Sequence, residues 1–175
     1  MSWHRAIRVV CLLVFAGGLG LWLHKLQRTP EQEDLTRYVQ VAVPSLRLAE
    51  QPIHERIERL GQAPGLKPDE ARKLLVDDVI PRLLRLKKSV AEIQTRTDET
   101  RTLNGEYAQV TDAFIDACRA CVQVIDDPKV STGEGWKRVR KQFADVQDAF
   151  QRWDEHVQAA CVCNRLAKPT AAVGK

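Results

Sequence analysis

Apolar residues in this chain recur at alternating three- and four-residue steps over two long stretches. The first follows Val76, Val79, Leu83, Leu86, Val90, Ile93, Thr97, Thr100, Asn104, Tyr107, Thr111, Phe114, Cys118, Cys121 and Ile125. The second follows Trp136, Val139, Phe143, Val146, Phe150, Trp153, Val157, Ala160 and Asn164. Such a seven-residue repeat keeps one face of a helix apolar, the seam along which helices pack in bundles and coiled coils. A shorter pattern, Leu35, Val39, Ala42, Leu46, Ala49, Ile53, Ile57 and Leu60, predicts a further helix upstream. Pro44 and Pro52 are expected to kink or break it, because proline removes a backbone donor and clashes with the preceding turn.

Turn and cap signals divide these patterns. Pro64-Gly65 predicts a turn, and Pro68 followed by Asp69 and Glu70 marks a helix start with acids at the positive end of the dipole. Asp126-Asp127-Pro128 closes the long seam, and Ser131 with Glu134 three residues on forms a capping-box pattern for the last helix. The seam over 76–125 stays in phase throughout, which favours one helix of about 75 Å, bent near Pro81. Its weak point is the stretch Thr97–Gly105, where polar seam residues precede an Asn104-Gly105 turn dipeptide. The expected fold is therefore all-α: an elongated antiparallel helical bundle over residues 34–166. It has three long helices, or four if the chain breaks near Thr97–Gly105. Thr97, Thr100, Asn104 and Thr111 read either as register-setting hydrogen-bonding layers or as a hinge.

The N-terminus has a different pattern. Val9 to Leu23 is an unbroken apolar run, preceded by Arg5 and Arg8 and followed by His24, Lys25 and Arg28. Fifteen helical residues rise about 22 Å, short of a hydrocarbon core of about 30 Å. Counting from Ala6 and letting Arg8 and Lys25 snorkel brings the length close to sufficient. A cleaved signal peptide would use Gly18-Leu19-Gly20 as its small-residue site. Leu21, Trp22 and Leu23 continue the run past that site, which favours an uncleaved signal-anchor. The expected organisation is a transmembrane segment over 1–26, a linker over 27–33, the bundle, and a disordered tail over 167–175. The membrane contact lies in residues 6–26, and a short basic N-terminal tail places the helical domain outside the cytoplasm, as in a periplasmic module.

Charge removes one class of partner. The chain has 27 Lys and Arg against 23 Asp and Glu, a formal net charge of +4. Residues 1–28 hold Arg5, Arg8, Lys25 and Arg28 and no acid, so the rest has 27 − 4 = 23 basic and 23 acidic residues, net zero. A neutral domain without a basic face is not expected to bind nucleic acid.

Candidate chemistry is sparse. Cys118-Arg-Ala-Cys121 and Cys161-Val-Cys163 resemble a four-thiolate metal set on paper, but antiparallel pairing of the last two helices separates them by roughly 25 Å. Cys118 and Cys121 sit at seam positions and read as core. Cys161 and Cys163 flank their seam and are the candidate thiols for a disulfide with a partner chain. His54 has Glu50 and Glu58 at four-residue spacing, which ordinary pairing along a helix explains without a metal. Trp136, Phe143, Phe150 and Trp153 form a candidate apolar face, read first as core and otherwise as the wall of a ligand groove. No nucleotide-binding, zinc-protease or nucleophile-elbow motif is present.

The expectation is a non-enzymatic, single-pass membrane module acting through protein contact, as a scaffold, adaptor or sensor-like element. Its partner is another protein or a second copy of itself, with no cofactor. The other reading is a bundle that binds a small apolar ligand or a metal between its helices.

Overall fold

Proline decides where the first two helices begin and where they loosen. Pro30 and Pro68 each open a helix, where the missing N–H costs no intrahelical bond. Thr29 caps the first by accepting the N–H of Gln32 through its hydroxyl. Pro44 and Pro81 lie further in, and each is preceded by a π-helical stretch ending two residues before it, Tyr38–Ala42 and Leu75–Val79. There the N–H of Val43 bonds the carbonyl of Tyr38, and that of Ile80 bonds Leu75. The wider turn absorbs the lost donor and the ring, so the helix continues instead of breaking.

The computed structural model describes residues 29–62, 67–127 and 133–166, with positions 129 and 169. The expected signal-anchor, the Ser131 cap and all but one residue of the expected tail lie outside these. Among the described residues there are four helices and no strand. Helix α1 covers residues 30–62, comprising Pro30–Arg37, the π stretch Tyr38–Ala42, and Val43–Gln62. Helix α2 covers 68–92, comprising Pro68–Leu74, the π stretch Leu75–Val79, and Ile80–Glu92. Helices α3 and α4 are Asp98–Asp126 and Gly133–Cys163. Helix α1 begins inside the stretch expected as linker. None of these helices is long and apolar enough to cross a membrane.

The single long helix expected over 76–125 is two antiparallel helices. The break lies at residues 93–97, ahead of the Asn104-Gly105 dipeptide, which sits inside α3. Thr97 is the extended N-cap of α3, and its hydroxyl accepts the N–H of Thr100. Of the polar seam residues, Thr97 and Thr100 are thus a cap and its anchor, Asn104 donates to the Val90 carbonyl of α2, and Thr111 donates to the Tyr107 carbonyl within α3. The seam keeps its phase through the turn because Ile93 and Thr97 remain half-buried there.

Cross-helix bonds define an up-down-up-down bundle. Arg37 reaches the Gln94 carbonyl at one end of α1 and α2, and Arg56 pairs with Asp78 at the other. Asn104 Nδ2 donates to the Val90 carbonyl (3.1 Å) and Arg72 pairs with Asp126 (2.7 Å), setting α3 against α2. Trp153 Nε1 donates to the Leu103 carbonyl at 2.9 Å, setting α4 against α3. The two sequence seams serve one shared interior: Val79, Leu83, Leu86, Val90, Tyr107, Phe114, Val146, Trp153 and Val157 belong to a single buried cluster with Leu35, Val39, Val43 and Leu46.

One carboxylate joins the start of α1 to the start of α3. Asp34, nearly fully buried, accepts the backbone N–H groups of Arg96 (2.9 Å) and Thr97 (3.1 Å) and the hydroxyls of Thr97 (3.3 Å) and Thr100 (2.6 Å). Burial alone would raise its pKa, but the bonds from Thr100, Arg96 and Thr97 outweigh it and hold the carboxyl below the usual value. Its stabilisation is therefore present above the unfolded pKa of about 4 and is lost as pH falls through the lower folded value. Asp34→Ala strands buried donors and is expected to cost about 2–3 kcal/mol in urea unfolding at neutral pH. Asp34→Asn should flatten the acid limb of a stability–pH curve; an unchanged limb counts against this assignment.

Candidate functional site

Helix α4 packs backbone-close to α3 and stands further from α1. The wider gap is filled by rings around one buried carboxylate. Glu50 of α1 is bonded to His54 Nε2 one turn along, and its other oxygen accepts the Tyr107 hydroxyl of α3 at 2.9 Å. The His54 ring lies 5.6 Å from Phe114 and 5.5 Å from Phe150, and Tyr107 lies 5.8 Å from Phe150 and 4.6 Å from Trp153. Arg47 and Asp154 pair across the mouth of this gap. Beside them runs a groove of about 490 Å³, lined by Gln51, His54, Phe150 and Gln151 among others.

The hydrogen bond that His54 donates to Glu50 raises the His54 pKa against the opposing effect of burial. Tyr107 is pushed strongly upward by burial and by the Glu50 charge, so it stays a hydroxyl donor. Through the Glu50–Tyr107 bond the cluster ties α1 to α3. The expected pairing of His54 with Glu50 is present, and Glu58 lies exposed. The sequence reading missed Glu50 as an interior residue. It placed Ala49 inside, whereas Glu50 is buried and Ala49 exposed. Beyond the π turn over Tyr38–Ala42 the inward face runs Val43, Leu46, Glu50 and Ile53, so Leu46 and Ile53 lie where expected while Val43 and Glu50 take the places of Ala42 and Ala49. A tyrosine at a seam position of α3 was the available hint of a buried polar partner.

Of the candidate apolar face, Trp153 is buried, Phe143 and Phe150 pack half-buried on the core cluster, and Trp136 is half-buried apart from it. Phe114 meets Phe143 and Phe150 edge-on, both at 6.1 Å. Cys118 is fully buried, and burial followed by the neighbouring Cys121 pushes its thiol up to about 12. Cys161 is buried near the end of α4 and Cys163 is exposed. Asn164 approaches Glu99 at 3.5 Å, so Cys161 lies beside the start of α3, while Cys118 lies one turn beyond the Phe114–Phe143 contact. From Phe143 to Cys161 is about 27 Å at helical rise, far beyond disulfide or shared-ligand reach. Among the described residues no three His, Cys, Asp or Glu side chains are grouped closely enough to hold a metal ion.

The outer face of α1 and α2 presents a different surface. A groove of about 440 Å³ is lined by Arg37, Tyr38, Val41, Ala42, Ser45, Leu46 and Ala49 of α1 and by Ser89, Ile93 and Gln94 of α2. Val41 is 61% and Leu48 60% exposed, the most exposed large apolar residues of the first three helices. A third groove, of about 690 Å³, lies between the starts of α1 and α3 and is rich in acids. No protein-family model, curated protein or solved structure matches this chain.

Two measurements check this geometry. His54 stabilises the fold fully below the unfolded histidine pKa of about 6.5, and the contribution fades as pH rises through the higher folded value. In Glu50→Gln the bonding carboxylate is gone, so NMR titration should find His54 protonating at lower pH than in the parent. An unmoved midpoint would refute the pairing. Alkylation followed by mass spectrometry should label Cys163 in the native chain and Cys118 only after unfolding, because burial and a raised pKa both suppress its thiolate. Rapid native labelling of Cys118 would contradict the core assignment.

Proposed function

We propose that this protein is a membrane-anchored helical module that acts by protein contact outside the cytoplasm, without catalysis. The apolar run Val9–Leu23 and its basic flanks support the anchor. The observation that carries the contact reading is the groove between α1 and α2, lined in part by the exposed Val41, with Leu48 exposed elsewhere on α1. Large apolar side chains arranged together on one face mark interaction sites more often than scattered ones do. The rings of Tyr107, Phe114, Phe150 and Trp153 occupy the space between α1, α3 and α4, which favours contact on the outside over a ligand held inside.

Reporter fusion at the C-terminus with membrane fractionation tests location. The expected result is a membrane-retained chain whose reporter is active only outside the cytoplasm; a cytoplasmic reporter or a soluble chain overturns it. A photo-crosslinking residue at position 41 tests contact, with one at the exposed Glu155 as control. Protein adducts specific to position 41 are expected, and their absence would remove the contact reading.

A further inference from the structure

We propose that the α1 face carrying Val41 and Leu48 pairs with the same face of a second copy of this chain, antiparallel, about a two-fold axis passing near Ser45. This rests on the contact reading above and names its partner. The face is self-complementary in shape. With Ser45 set opposite itself, Val41 of one copy lies opposite Ala49 of the other, and Leu48 lies opposite Ala42. Val41 and Leu48 are the large exposed residues, whereas Ala42, Ser45 and Ala49 are the small lining of the groove beside them. Val41 and Leu48 lie seven residues apart on one side of α1. The two-fold sets this apolar side of each copy against that of the other, with the small Ala42, Ser45 and Ala49 letting the backbones approach.

Charge selects the antiparallel arrangement. Arg37 and Glu55 are exposed at opposite ends of this stretch, about 27 Å apart at helical rise. In the antiparallel register, Arg37 of one copy falls within two residues, about 3 Å along the axis, of Glu55 of the other. Two such cross-pairs form, one at each end. A parallel pair would set Arg37 against Arg37 and Glu55 against Glu55, which like-charge repulsion disfavours. Among the described residues Arg37 donates to the Gln94 carbonyl (3.2 Å) and Glu55 accepts from Gln51 (3.1 Å), both at the surface. Arg37 also lines the acidic groove at the start of α1, and both side chains stay exposed to a partner. The wall of the groove on α2, Ser89, Ile93 and Gln94, adds no charge to this face. Antiparallel pairing also points the two N-termini apart. Chains tethered in one membrane through residues 6–26 accommodate it with α1 lying along the membrane plane.

The test uses the full chain in non-ionic detergent, with mass followed by analytical ultracentrifugation and helicity by circular dichroism. The parent is expected to be a dimer, and Val41→Glu or Leu48→Glu to weaken it by about tenfold or more with unchanged helicity. Arg37→Glu and Glu55→Arg should each weaken pairing, and the double reversal should restore it. Ser45→Cys, in a Cys163→Ser background, should give a bismaleimide-linked dimer that depends on the new thiol. A chain that stays monomeric at about 100 µM, well above a micromolar affinity, overturns the proposal. So does a dimer that Val41→Glu and Leu48→Glu leave intact, or a charge reversal that the second change does not rescue. Adducts at position 41 whose mass corresponds to a different protein would sink self-pairing while leaving the contact reading standing. No adduct at all would end both.

Discussion

The carboxylate of Asp34 is the interaction on which the rest of the bundle depends. It lies near the start of α1 and bonds the backbone of Arg96 and Thr97 at the opening of α3, more than sixty residues away. In effect it is a helix cap supplied from another helix, placed where the α3 dipole is positive. The same contact holds the turn between α2 and α3, where Arg96 and Thr97 lie. Once α1 and α3 are tied parallel, α2 must return between their ends, and α4 finds its place along α3 through the Trp153 bond to Leu103.

The prolines supply the second constraint. Pro44 and Pro81 each impose a π turn, and each π turn adds one residue to the helix ahead of the proline. Rotation by one residue changes which side chains meet the core. On α1, Val43 and Glu50 are buried in place of Ala42 and Ala49 while Leu46 and Ile53 keep their expected places; on α2, Leu75 is buried and Val76, which the seam had placed first, is exposed. The interior therefore contains a carboxylate, satisfied by His54 and Tyr107, and the outside displays a row of alanine, serine and exposed Val41 and Leu48.

Much of this was legible in the sequence. The seams on α2, α3 and α4 name the core, and Cys118, Phe114 and Trp153 lie where the seven-residue period put them. The starts at Pro68 and the end at Asp126 follow from local cap chemistry. A break was legible as the alternative near Thr97–Gly105, but its place at residues 93–97 was not, because the seam passes through it in phase: Ile93 and Thr97 remain half-buried in the turn. Thr97 and Thr100 were recognised as unusual seam residues, but their acceptor is on α1 and has no local signature. Glu50 was hidden for the same kind of reason, since a π turn leaves no mark on residue type beyond the proline that follows it.

By itself, then, the sequence determined that the chain is helical, which stripes are apolar, and that the folded part is electrically neutral. Those properties are set by neighbours within about two turns, so periodicity and composition record them directly. Only the tertiary structure decided that there are four helices, that Asp34 caps α3, that Glu50 is inside, and that Val41 and Leu48 remain outside. Each of these depends on where a proline-driven π turn rotates one helix face and on which distant donor a carboxylate meets. Neither quantity is a property of any short window of residues.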